Sequence, residues 1–299
     1  MSAHSLSLGK GDADKFCKIF IDKYFTTLSD GYIRVIEYQT ARGVMKNFLD
    51  KVELRKRKDL LKKRTLVKKG ELKLKLDGIH TLPASKKEKK EIEYHLHAWA
   101  KNMPDPGFYK VKDIQFRIAG TSSLGLNRYV ILVKGRGGKD GNFLLDLKQT
   151  LPSCLAKHVK TQQPDWKSEA ERIVEVQKRT LSAPPAHLAS IDIGKKNFIL
   201  KELQPTADRI DYTMFKGNAK KLKDILEDMA SICAWSNLRS TGRDGSAIAD
   251  ELIRFAKARN LFEKKLIEYS KDTLERTISY HNQYCEAYKK GFFKVTKKS

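Results

Sequence analysis

VKDIQFRIAGTSSLGLNRYVILVKGRGGKDGNFLLDLKQT, residues Val111–Thr150, is the stretch from which the fold of this chain is read. Ile114, Phe116 and Ile118 alternate with Asp113, Gln115 and Arg117, the period of a half-buried strand. Gly120-Thr121-Ser122-Ser123-Leu124-Gly125 breaks that alternation with a glycine at each end. A second strand runs from Arg128 to Lys134, and Gly135–Gly141 is a loose hairpin connection. The third strand, Phe143 to Gln149, places Leu144, Asp146 and Lys148 on one face and Phe143, Leu145 and Leu147 on the other. A strand, a glycine loop, a strand and then a lysine on the next strand is how kinase-like folds cover and grip nucleotide phosphates. Glycines let backbone amides approach an anion closely, and the lysine supplies a point charge. Gly120, Thr121, Ser122, Ser123, Gly125 and Lys148 are therefore the candidate phosphate-binding residues.

Working outward, a chain of 299 residues has room for one large domain or two lobes, each with a core. Its net charge of +24 is concentrated in part between Lys51 and Lys75, where twelve Lys or Arg face Glu53, Asp59 and Glu71. Such a segment suits nucleic acid, an acidic partner or an anionic surface. The competing explanation is lysine spread over solvated faces, and no aromatic residue stands in the segment for a base to stack on. Cys17, Cys154, Cys233 and Cys285 lie far apart without metal-ligand spacing, which suits a cytoplasmic protein and gives no readable metal site. No apolar run approaches a membrane span, so no membrane role is expected.

Before the central stretch, Phe16, Phe20, Tyr24 and Leu28 form one stripe of an amphipathic helix that opens after Gly9–Asp12. A second long helix is expected from about Tyr32 into the basic segment, then a short strand from Glu71 to Leu76. Ser85 opens a helix carrying Ile92, Leu96, Trp99 and Met103, which Pro104-Asp105-Pro106-Gly107 terminates. After the three strands, Ser168 and Glu171 have capping-box spacing at the start of a helix ending near Leu181. Glu175 of that helix is left either to face the sheet and pair with Lys148, as in kinase-like folds, or to pair with Arg179 on the surface. Two further strands, Leu188–Ile193 and Asn197–Leu203, lead to Leu203-Gln204-Pro205-Thr206, placed as the hinge where an adenine edge meets backbone. Helices follow from Ala219 to Leu238 and from Ala247 to about Phe293, with Leu274, Ile278, Tyr284 and Tyr288 expected to face inward.

The fold class expected is α+β and protein-kinase-like, an antiparallel five-stranded N-lobe-like sheet with one packed helix, flanked by helical regions. Its parts would be a basic helical region at 1–105, the sheet at 106–206 and a helical region at 207–299.

RIAGTSSLGLNRYVILVKG (Arg117–Gly135), NFLLDLKQT (Asn142–Thr150), ERIVEVQKR (Glu171–Arg179) and NFILKELQP (Asn197–Pro205) resemble the bacterial family called domain of unknown function 2252. AWSNLRSTGRDGSAIADELIRFA (Ala234–Ala256) is similar to it as well, so the resemblance covers essentially the whole chain. It implies a kinase-like fold of rearranged order, with ATP as the ligand, in which a G-D-x-H-x-x-N segment and a metal-binding D-F-D-E segment precede the glycine loop. Neither occurs in this sequence, and Met1 falls in what resembles the helix just after them. The resemblance thus implies the C-terminal part of a longer protein, inactive alone as a phosphotransferase unless an upstream polypeptide supplies those segments. Asp146 and Asn127 stand where protein kinases place small apolar residues against adenine, and Ser122 stands where the loop's middle glycine would be. The phosphate-gripping parts are better kept than the base-binding parts.

Overall fold

The computed structural model describes residues 10–120, 125–138, 140–211, 214–215 and 217–293. Eight α-helices and eight strands are found among the described residues, and the chain divides into two compact units.

One unit is helical, and comprises the chain up to Asn47, Asp211–Gly242 and the chain from Ala247. Its main elements are α1 (Lys10–Asp30), α6 (Ala219–Arg239), α7 (Ala249–Lys257) and α8 (Asn260–Lys289). Of the stripe read on α1, Phe16 and Leu28 are buried and Phe20 and Tyr24 half-buried; Leu28, with Phe25 beside the stripe, packs with Ala234 and Leu238 of α6 and Ala256 of α7. Across this α1–α6 contact the Thr27 and Ser231 hydroxyls meet at 3.4 Å, and the Asn237 amide donates to the Tyr24 hydroxyl at 2.7 Å.

The other unit, Phe48–Ile210 with Arg243–Ser246, is built on a six-stranded sheet, all of whose pairings are antiparallel. Its strands are β3 (Thr81–Leu82), β4 (Val111–Arg117), β5 (Arg128–Val133), β6 (Phe143–Gln149), β7 (Ala189–Ile193) and β8 (Lys196–Glu202), in the order β3-β4-β5-β6-β8-β7. One face carries Ile114, Tyr129, Ile131, Val133, Leu145, Leu147 and Leu200, closed by Ile92 and Leu96 of α4 (Lys86–Ala100). Ser85 caps α4 in a full capping box with Glu88. On the opposite face Val130, Leu132, Leu144 and Leu203 pack against two leucines from the basic segment. These are Leu61 of α3 (Arg57–Arg64) and Leu74 of the small hairpin β1–β2 (Thr65–Lys68, Glu71–Leu74). At the β8 edge of that face, Ala170 and Val174 of α5 (Glu169–Thr180) cover Ile199.

Four expectations are corrected. The sheet has six strands rather than five, because Thr81 and Leu82 pair with Arg117 and Phe116; a two-residue strand carries no readable alternation. The long helix expected from Tyr32 is instead non-helical to Arg42 and then two helices, α2 (Gly43–Glu53) and α3. The β-branched Ile33, Val35 and Ile36 disfavour helix there, and Gly43 breaks the pattern. The last helical stretch is split at 258–259 into α7 and α8. On α8, Ile278, Tyr284 and Tyr288 do not face inward but stand exposed, and Leu274 is only half-buried. The basic segment lies in the same compact unit as the sheet, and its leucines cover one face of it.

The β5–β6 connection depends on its glycines. Gly135 has φ +60°, and a Cβ there would overlap the Gly141 carbonyl oxygen and lie 3.2 Å from the Phe143 amide. Gly135→Ala is therefore expected to destabilise the protein by about 1–3 kcal/mol, read as a lower urea midpoint with an unchanged slope.

Candidate functional site

The sheet face that carries Leu144 also carries every charged residue singled out on the central strands. In the β5–β6 register Arg128 lies directly opposite Lys148, and Val130 opposite Asp146. Asp146 is buried, 2% exposed, and both its oxygens are held by arginines. Arg117 Nη1 donates to Oδ1 at 2.7 Å, Arg128 Nε to Oδ1 at 2.8 Å and Arg128 Nη2 to Oδ2 at 2.6 Å. Burial alone would raise the Asp146 carboxyl, but the two guanidinium groups outweigh it and hold it below the usual carboxylate range.

Arg128 does more than neutralise Asp146. Its Nη1 donates to the Ala119 carbonyl at 2.9 Å, tying the start of the glycine turn to the sheet. At the other end of the turn, Gln149 N donates to the Asn127 carbonyl and the Asn127 amide to the Gln149 side chain. Gly120 and Gly125 take φ of +78° and +82°, conformations that L side chains rarely adopt. The turn is thus anchored at both ends, at Ala119 by Arg128 and at Asn127 by Gln149. Thr121, Ser122 and Ser123 lie outside the described residues.

Lys148 is half-buried and makes no hydrogen bond or ion pair among the described residues. Its neighbours are cations: burial first, then Arg128, and more weakly Lys201, push its ammonium below the usual lysine range, only partly opposed by Asp146. The cluster of Arg117, Arg128, Lys148 and Lys201 therefore carries more positive charge than Asp146 balances.

Glu175 is not brought to Lys148. It pairs with Lys178 at 2.8 Å on the outer side of α5, since Ala170 and Val174 turn the helix's other side to the sheet. The alternative partner Arg179 is likewise engaged elsewhere, by Asp244. Ser168 does cap α5 by accepting from the Glu171 amide at 3.1 Å, while the Glu171 carboxylate accepts from Lys167 N at 2.6 Å rather than from Ser168.

Next to this face, Leu203, Gln204 and Pro205 line a cleft of about 730 Å³, together with Arg57, Phe143, Leu144, Lys201 and others. The Arg57 guanidinium lies over the Phe143 ring at 4.8 Å. The backbone amide of Leu203 is already spent on the Leu144 carbonyl at 2.9 Å, so it extends the sheet instead of offering a donor to a ligand. Much of the basic segment is exposed on α3 and the hairpin, including Lys58, Lys62, Lys63, Lys68 and Lys69. Among the described residues no group of three His, Cys, Asp or Glu is placed to hold a metal ion, and no helix is long and apolar enough to cross a membrane.

Arg117 and Arg128 are the residues that sequence reasoning passed over. A signal was present: Asp146 on a strand face among apolar neighbours needs a cation, and Arg128 is its diagonal cross-strand neighbour.

Replacing Asp146 by Asn should cost about 3–5 kcal/mol at neutral pH, because two buried arginines lose their counter-charge. The folded carboxyl lies below its unfolded value of about 3.9. Its stabilisation is therefore complete above that pH and is lost as pH falls through the lower folded value. Denaturant melts of wild type and Asp146→Asn should differ widely at pH 7 and converge in strong acid.

The family model for uncharacterized proteins conserved in bacteria (DUF2252) matches residues 3–287, nearly the whole chain. The match bears out neither the kinase-like architecture nor the reading as a C-terminal part. No curated protein and no solved structure matches the chain. With that extent of match, the chain belongs to the bacterial DUF2252 family.

Proposed function

We propose that this chain binds a phosphate-bearing ligand, with the anion held between the Gly120–Gly125 turn and Lys148. The observation that carries the proposal is the uncompensated charge at Lys148: a half-buried ammonium opposite Arg128, with no carboxylate bonded to it among the described residues. A cation in that setting gains from an anion far more than a solvated surface lysine does, because burial has already removed much of its water. The anchored glycine turn supports the same reading, since backbone amides at glycine can close on phosphate oxygens without a side chain in the way.

ATP is the ligand to try first. The strand–glycine turn–strand–lysine order is that of a kinase N-lobe, and the cleft beside Leu203–Pro205 is within the size range of small-molecule sites. Lys201 links the two, as it lines the cleft and also acts on Lys148. The base would lie in that cleft and not over Val130 and Leu132, which Leu61 and Leu74 already cover. Phosphoryl transfer is no part of the proposal, because the G-D-x-H-x-x-N and D-F-D-E segments that kinase-like chemistry uses do not occur in this sequence. Polyanion contact through Lys51–Lys75 is the lesser reading: its lysines are exposed, but no aromatic side chain stands among them.

Calorimetric titration of ATP and, separately, of inorganic phosphate into the full chain tests this. Saturable ATP binding that weakens about 10- to 100-fold in Lys148→Ala is expected, the equivalent of losing one charge-assisted hydrogen bond of about 1.5–3 kcal/mol. Equal binding by wild type and Lys148→Ala, or none by either, would remove the proposal.

A further inference from the structure

The helical unit carries a second unexplained feature, on α8. Its first turns dock antiparallel on α1: Lys18 bonds Glu263 at 2.6 Å and Asp14 bonds Lys271 at 2.7 Å. Beyond Lys271 the ring contacts and side-chain hydrogen bonds among the described residues are local, as between Tyr284 and Tyr288, Tyr284 and Phe293, or Cys285 and His281. The helix nevertheless continues to Lys289 with a regular seam. Leu274, Ile278, His281, Cys285 and Tyr288, followed by Phe292 in the terminal turn, recur at alternating spacings of four and three, the repeat of a coiled-coil seam. Ile278 is 45%, Tyr288 67% and Phe292 78% exposed. An isolated helix with a seam of this kind is incomplete in water.

We infer that this seam pairs with the same seam of a second copy of the chain, in antiparallel orientation. The sequence is self-complementary about Gln283. Laid antiparallel, Ile278 meets Tyr288 of the second copy and His281 meets Cys285, each layer joining one position of the repeat to the other as antiparallel coiled coils require, and Leu274 comes toward the terminal turn that carries Phe292. The flanking positions decide the orientation. On one side Glu275 comes opposite Lys289 of the second copy, twice by symmetry, with Asn282 opposite its own counterpart between them. On the other side Tyr284 meets Tyr284, and no like charges are opposed. A parallel pair would set Tyr284 beside Lys289 and Thr277 beside Asn282, with no ion pair at all, and would stack His281 on His281. The polar His281–Cys285 layers at the centre fix the register at some cost in strength. The helical part of the seam, residues 274–289, spans about 24 Å, so the contact is small and the association concentration-dependent rather than obligate.

Sedimentation equilibrium of the full chain over a wide concentration range tests this, with Glu275→Lys, Lys289→Glu and the double exchange alongside. Wild type should show a monomer–dimer equilibrium. Each single exchange turns two attractions into two repulsions and should weaken it roughly tenfold or more. The double exchange restores the pairing with reversed polarity and should recover wild-type association. A wild-type chain that stays monomeric throughout would overturn the inference. A double exchange no stronger than the singles would overturn the antiparallel register.

Discussion

One carboxylate, Asp146, holds the charged face of the sheet together. It is the acceptor for Arg117 on β4 and Arg128 on β5, so a single buried group ties three neighbouring strands. The geometry has the features that make burial of an ion tolerable: both oxygens are used, and each arginine is itself nearly enclosed. With its charge consumed in this way, Asp146 has little to give Lys148 two residues on. The same Arg128 that satisfies Asp146 stands opposite Lys148 and reaches on to the Ala119 carbonyl at the start of the glycine turn. The electrostatic imbalance at Lys148 and the anchoring of the turn are therefore two consequences of one interaction.

The apolar half of that face is closed by the protein itself. Leu61 and Leu74 lie over Val130, Leu132, Leu144 and Leu203, so the most basic stretch of the chain contributes leucines to a core while exposing its lysines. This explains how a segment so rich in charge belongs to a folded unit: Leu61 of α3 is buried while Lys58, Lys62 and Lys63 stay exposed. Lys201, which lines the open cleft beside Leu203–Pro205, also acts on Lys148.

Much of this was legible in the sequence where a period was strong. The three central strands, the cap at Ser168, the β7–β8 pair and the α1 stripe all follow from alternation, capping spacing or helical periodicity. What could not be read depended on partners distant in sequence. Thr81 and Leu82 form a strand only because β4 offers them an edge. Glu175 turns outward because Ala170 and Val174 claim the inner side of α5, and small side chains such as Ala170 give little periodic signal. On α8 the apolar repeat predicts an inward face because periodicity reports that a face wants a partner, and it is silent on whether that partner lies in the same chain. The arginine clamp on Asp146 was within reach of cross-strand reasoning, through the diagonal from Arg128, once the β5–β6 register was known.

The most direct test of the central claim is the titration of the Lys148 ammonium itself, followed by nuclear magnetic resonance on lysine-labelled protein and assigned with Lys148→Arg. A cation half-buried beside Arg128 should titrate below an ordinary lysine, near 10.4, and should move back up when phosphate is added. An ordinary titration that phosphate leaves unchanged would contradict an uncompensated charge at this site, and with it the reading of the glycine turn and Lys148 as an anion site.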